Sequence, residues 1–176
     1  MYVSSTDHSV YALNAATGAR VWTFATGDNV VSSPAVSGGV VYVGSNDHSV
    51  YALNAATGAL VWTFETGAGV ASSPAVANGT VYVGSFDHRL YALRATDGAA
   101  VWSATLGAIV LASPSVANGV VYVATTDGIV HALDAATGAD VAPQFATGSS
   151  IQLSSPAVAN GVVYVGTVAG KVFALG

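Results

Sequence analysis

The stretch VYVGSNDHSVYALNAATGALVWTFETG, Val41–Gly67, decides the fold, because almost every feature in it returns at a fixed distance. Its central segment, DHSVYALNAATG at Asp47–Gly58, already stands letter for letter at Asp7–Gly18. The VYVGS-type runs place tyrosines at Tyr2, Tyr42, Tyr82, Tyr122 and Tyr164, spacings of 40, 40, 40 and 42 residues. The same register carries Trp22, Trp62 and Trp102, the prolines Pro34, Pro74, Pro114 and Pro156, and the glycines Gly18, Gly58, Gly98 and Gly138. So many columns in one register mark a repeat protein. Two extra residues fall in the last interval, within VAPQFATGSSIQLSSP, which reads as a longer loop.

Each unit divides into four short runs rich in Val, Tyr, Thr and Trp, bounded by turn residues, with no helical period. In one unit the predicted strands are SSPAV (Ser72–Val76), TVYVGS (Thr80–Ser85), RLYAL (Arg89–Leu93) and AAVWS (Ala99–Ser103). Strands one and two are joined by Gly38-Gly39, Asn78-Gly79, Asn118-Gly119 and Asn160-Gly161, pairs suited to the positive φ of a type I′ hairpin. Strands three and four are joined by NAATG, NAATG, RATDG and DAATG, whose last glycine suits a longer hairpin turn with a bulge. Strand two is apolar at consecutive positions (Val40, Val41, Tyr42, Val43), so both of its faces must be covered by other sheets. Four-stranded antiparallel units of about 40 residues, each stacked between copies of itself, describe an all-β fold, a β-propeller with four to five blades in this chain.

Composition narrows the function. Of the 176 residues 52% are apolar and 7% charged, with a net charge of −5, so there is a core to bury and no basic patch to neutralise phosphates. Nucleic acid is not an expected partner. With no cysteine there is no disulfide framework, thiolate zinc site or Cys nucleophile. No apolar run of 18 residues occurs, so membrane insertion is not expected.

The unit resembles the repeat of the pyrroloquinoline-quinone-like propellers, whose core is A-x-[DN]-A-x-T-G-x-x-x-W. It stands here as Ala12, Asn14, Thr17, Gly18 and Trp22, and as Ala52, Asn54, Thr57, Gly58 and Trp62. The resemblance implies that each tryptophan docks between neighbouring blades. It covers nearly the whole chain, with two departures: Arg94 and Asp97 replace Asn and Thr in the third unit, and Ala142-Pro143 stand where the fourth tryptophan should begin its strand. The last interface is therefore expected to be weaker. WD-type propellers have a similar period, but their Gly-His and Trp-Asp signatures are missing. The family's quinone-dependent dehydrogenases are longer and carry a catalytic Asp, calcium-binding carboxylates and, in several, an adjacent cysteine pair, none of which can be placed here. Other members are binding proteins, such as an outer-membrane assembly scaffold lipoprotein and the sensor domains of some bacterial membrane kinases. The resemblance thus implies a non-enzymatic, extracytoplasmic recognition or scaffold module with no cofactor, with a dehydrogenase fragment or a kinase sensor domain as the alternatives.

The repeated Asp-His pair is the one feature that suggests chemistry. Its column reads Asp7-His8, Asp47-His48, Asp87-His88, Asp127-Gly128 and Ala169-Gly170, so histidine alternates with glycine where a hairpin must reverse. A positive-φ turn explains all five pairs and a site only three. Equivalent loops on neighbouring blades lie at least about 10 Å apart, too far to share a zinc ion. No catalytic or metal-binding residue is assigned. His131 stands where other units have Tyr11, Tyr51 and Tyr91 and reads as a polar-tipped filler, and Asn78-Gly79-Thr80 matches a glycosylation pattern that the turn already requires.

What remains is what was not copied. The loops from strand four to strand one vary most (GDNVVSSP, GAGVASSP, GAIVLASP, GSSIQLSSP) and share a face with the Asp-His turns around the channel mouth. Asp28, Asn29, Phe86, Arg89, Ser149, Ser150 and Gln152 are the candidate contacts for a protein or small ligand. The chain reads as a single repeat domain over 1–176, with units near 1–40, 41–80, 81–120 and 121–162 and a partial one at 163–176. Counting runs gives 18 strands where four blades need 16. Either Ser154–Leu175 borrow Val21–Phe24 to close a four-bladed ring, leaving Met1–Leu13 surplus, or the chain is an open arc cut from a larger propeller or completed by association, as a homo-oligomer for example.

Overall fold

Short runs paired across tight turns give eighteen strands in five antiparallel sheets in this computed structural model, which describes residues 1–152 and 154–176. The first sheet holds β1 (Tyr2–Ser5), β2 (Ser9–Leu13) and β3 (Arg20–Ala25). The second holds β4 (Ala35–Ser37), β5 (Val40–Gly44), β6 (Ser49–Asn54) and β7 (Leu60–Glu65). The third holds β8 (Ala75–Ala77), β9 (Thr80–Gly84), β10 (Arg89–Arg94) and β11 (Ala100–Thr105). The fourth holds β12 (Ser115–Ala117), β13 (Val120–Ala124), β14 (Ile129–Asp134) and the two-residue β15 (Phe145–Ala146), and the fifth β16 (Ala157–Ala159), β17 (Val162–Gly166) and β18 (Val172–Leu175). These are propeller blades, with the short strands β4, β8, β12 and β16 adjacent in turn along the inside.

The turns behave as their residues require. Gly38-Gly39 and Asn78-Gly79 have φ of 57° and 79°, and 49° and 75°, the doubly positive geometry of the expected hairpin. The strand three to four connections carry the expected bulge, after Ala12, Ala52 and Ala92. β5 and β9 are buried from their second residue onward, as a strand covered on both faces must be.

The four-bladed closure does not form. β3 stays paired with β2 in a sheet of its own, so Met1–Leu13 are part of the first blade and not surplus. The first sheet lacks an inner strand and the last an outer one, and the two end faces are uncovered. Val43 and Val83 are 0% exposed but Val3 is 38% exposed, while Tyr42 and Tyr82 are 2% and 3% exposed but Tyr164 is 41%.

Strand one is also shorter than expected. Ser72 to Pro74 are not in the ladder, because the serines are used between blades and proline has no N–H to give. Ser33 N–H donates to Ser73 Oγ (2.8 Å), Ser73 N–H to Ser113 Oγ (3.0 Å) and Ser113 N–H to Ser155 Oγ (3.0 Å), a chain of bonds that crosses from blade to blade. The preceding serine turns inward: Ser32, Ser72 and Ser154 accept the N–H of Gly44, Gly84 and Gly166 on their own blades.

The core lies between sheets. At the first interface Trp22, Val41, Val43 and Leu53 pack together, and at the second Tyr42, Trp62, Val81 and Leu93 do. Each indole donates its Nε1–H to a backbone carbonyl of the next blade: Trp22 to Ala55 (3.0 Å), Trp62 to Ala95 (2.9 Å) and Trp102 to Ala135 (3.0 Å). The turn glycines thereby gain a second reason beyond positive φ, since a Cβ on Gly58 would lie 2.7 Å from the ring of Trp22. The fourth interface has no indole and is built from Ala112, Ala124, Val130, Ile151 and Val165.

Candidate functional site

The Asp-His turns and the strand four to one loops lie on one face, and hydrogen bonds stitch each loop to the turn of the following blade. His8, His48 and His88 have φ of 69°, 73° and 70°, and Gly128 and Gly170 have 88° and 73°, so the whole column is a positive-φ turn. Histidine is there for its backbone. The aspartate does more than the sequence indicates. Asp47 Oδ1 accepts Ser49 N–H (3.0 Å), and Oδ2 accepts both the Tyr51 hydroxyl (2.8 Å) and the N–H of Gly27 on the preceding blade (2.6 Å). Asp87 repeats this with Arg89 N–H, Tyr91 and Gly67. Each is a clamp between blades. Burial first, and the Asp87 carboxylate second, push the Tyr91 hydroxyl up to about 12, so it stays a donor across the physiological range. The hydrogen bond from Tyr11 holds the Asp7 carboxyl below the usual range.

The fourth blade departs from this scheme. His131 takes the tyrosine position, is 2% exposed, and lies with Nε2 3.4 Å from Thr125 Oγ1, which itself donates to Asp127 (2.6 Å). Among the described residues Nδ1 has no partner, and burial pushes the imidazole below its ordinary value. Opposite, Ala104 stands where Phe24 and Phe64 meet Tyr51 and Tyr91 at 5.4 Å, so an aromatic pair has become a small residue and a histidine.

The candidate contacts divide among several places. Asp28 and Asn29 are half-buried at the first loop, with Asp28 Oδ1 accepting Asn29 N–H (2.6 Å) and lying 3.9 Å from His8 Nε2. The carbonyl of Asn29 accepts the N–H of Asn46 on the next blade, and that of Gly69 accepts the N–H of Phe86. Ser149 and Ser150 are half-buried in the last loop, where Ser150 O accepts Val168 N–H, while Gln152 is exposed beside Val168. Arg89 is separate: its guanidinium reaches sideways to Ser103 of its own blade (2.9 Å). Among the described residues no three His, Cys, Asp or Glu side chains come close enough to hold a metal ion. No helix is long and apolar enough to cross a membrane.

The loop-to-turn bonds, the inter-blade serine chain and the indole docks are what sequence reasoning missed or saw in part. The repetition of Ser-Ser-Pro beside every inner strand was the available signal. A cleft of about 680 Å³ also opens between the fourth and fifth sheets, lined by Tyr122, Val130, Ala132, Phe145 and Val163 among others.

The sequence profile of the family described as outer membrane protein assembly factor BamB matches residues 1–72 and 46–176, which together span the chain, and the chain belongs to that family. No curated protein sequence matches it. Among solved structures, BamB from Moraxella catarrhalis is 22% identical with a TM-score of 0.85, over 99% of this chain and 57% of that one. The computationally designed Ika8 protein is 16% identical with a TM-score of 0.88, over 99% of this chain and 54% of that one. The quinohemoprotein alcohol dehydrogenase ADHIIG from Pseudomonas putida HK5 is 19% identical with a TM-score of 0.81, over 99% of this chain and 38% of that one. The chain thus spans between about a third and just over half of these proteins. At such identities the likeness is one of fold.

Proposed function

Proceeding from family membership, we propose that this chain is a non-enzymatic recognition or scaffold module that binds a protein through the face carrying Asp28, Asn29, Phe86, Ser149, Ser150 and Gln152. One observation carries the reading: the copied polar residues of that face, Asp47 and Asp87 above all, are used up in holding blades together. The uncopied loops are what is left to discriminate between partners. A motif repeated around an arc builds a platform, and conserved chemistry at one centre is not what it supplies. The family description names an assembly factor of the outer membrane, which supports a protein partner and an extracytoplasmic setting.

The alternative is a fragment of a quinoprotein dehydrogenase, favoured by the likeness in fold to the Pseudomonas putida enzyme. Titration with pyrroloquinoline quinone and calcium separates the two, since saturable micromolar binding would overturn the recognition reading. A second arm places a photo-crosslinking residue at Phe86 or Gln152, and at Asn118 on the opposite face, in the native host. Adducts to one partner from the first two positions and none from the third are expected. Adducts from Asn118 alone would sink the proposal. We also propose that 1–176 is one domain whose uncovered end faces associate with further blades or with another copy. Light scattering should show an oligomer, and a clean monomer counts against association.

A further inference from the structure

We propose that the cleft between the fourth and fifth sheets binds a neutral planar aromatic ligand of indole size, in the place that tryptophan takes in the other interfaces. Trp22, Trp62 and Trp102 stand directly across from Ala12, Ala52 and Ala92 and fill the outer part of the space before the next blade. The fourth blade keeps the alanine, Ala132, and loses the indole. Val141 N–H still reaches Ala132 O (3.0 Å), but Pro143 has no N–H for the ladder, and Ala142, Pro143 and Gln144 run exposed before β15 resumes the pairing.

The space left over is a slot and not a collapsed contact. Its volume of about 680 Å³ falls in the range, roughly 300–1,000 Å³, of pockets that bury small ligands. Tyr122, Val130 and Ala132 form one wall and Val163 and Leu175 the other, and no Asp, Glu, Lys or Arg side chain lines it. A charged ligand would lose its hydration there with nothing in return. The slot offers one polar group. Tyr2, Tyr42 and Tyr82 each donate a hydroxyl to the next blade, whereas the Tyr122 hydroxyl has no such partner among the described residues and is free to accept an indole N–H. Apolar vacancies left by large-to-small replacement take up aromatic molecules of matching shape. This site is at the outer edge of the blades, away from the loop face, so it stands or fails independently of the recognition reading.

The test is a titration of the full chain with indole, followed by amide NMR shifts, repeated with Ala142→Trp, which restores the missing side chain, and with Ala132→Leu, which fills the slot from its floor. Saturable binding of one indole is expected, with shifts centred on Tyr122, Ala132 and Val163, and its loss in both variants. Circular dichroism checks that each variant is folded. Absence of saturation up to the solubility limit of indole, shifts centred elsewhere, or binding that survives in either folded variant would overturn the proposal.

Discussion

Replacing Trp62 by alanine tests whether the indole dock holds neighbouring blades together. The side chain is 7% exposed, its ring centre lies 5.8 Å from that of Tyr42, and a Cβ on Gly98 would come within 2.7 Å of it. Burying one indole removes about 150–250 Å² from water, roughly 4–6 kcal/mol of gross stabilisation. The hydrogen bond adds little to the loss, because the Ala95 carbonyl keeps its second donor, the Tyr42 hydroxyl at 3.1 Å. Its net contribution is about 1 kcal/mol. Against this, the slot opens at the blade edge, so water and neighbouring side chains relieve part of the vacancy, and the expected cost is about 3–4 kcal/mol, the lower half of the usual range for such truncations. Urea denaturation followed by far-UV circular dichroism should show a midpoint that falls with little change in slope. Val61→Ala, one residue away and 47% exposed, is the control and should cost under about 0.5 kcal/mol. Trp102 is only half-buried, so Trp102→Ala should cost less than Trp62→Ala. A loss below about 1 kcal/mol for Trp62→Ala would refute the argument that the indole column couples blades.

Three further outcomes follow from the same contacts. Asp47→Ala strands the Tyr51 hydroxyl and the Gly27 N–H at an interface and should cost about 2–3 kcal/mol in urea melts, whereas Asp7→Ala, with no preceding blade to clamp, should cost far less; equal losses would argue against the clamp. Gly18→Ala and Gly58→Ala both force alanine into positive φ (72° and 74°), but only Gly58 has an indole 2.7 Å from the new Cβ, so thermal melts should rank Gly58→Ala clearly lower. His131 is buried with its protonation disfavoured, so the unfolded chain binds the extra proton first. Stability is then full above about pH 6.5 and falls as pH drops through that value toward the lower folded one, a slope that His131→Phe should remove from pH-dependent melts.

The period, the strand count and the turns were legible because each rests on a local requirement. A doubly positive hairpin selects Asn-Gly or Gly-Gly, and a positive-φ reversal accepts His48 or Gly128 alike, whatever lies around them. The bonds between blades were not legible, since they join residues far apart in sequence: Gly27 to Asp47, Ser33 to Ser73. Nothing local separates a serine in a strand from one that accepts a neighbour's N–H, and so Ser72 and Ser73 read as ladder residues when they are inter-blade connectors. Arg89 failed for a related reason. Its number places it beside the mouth, but its guanidinium bonds Ser103, and neither residue's position in its run reveals that pairing before the register of β10 and β11 is known.

The most informative departures are those that break a column. Ala142-Pro143 announced a missing indole in the sequence, and the cleft sits where it is missing. His131 announced a missing tyrosine, but its companion change, Ala104 for phenylalanine, lies 27 positions away on another blade and only the packing joins the two. Both lie on the fourth blade, which also lacks the Tyr-Asp hydrogen bond of its neighbours. The copies therefore diverge where one blade has been released from the constraints that hold the others, and a released interface is where a repeat scaffold can acquire a ligand without giving up its frame.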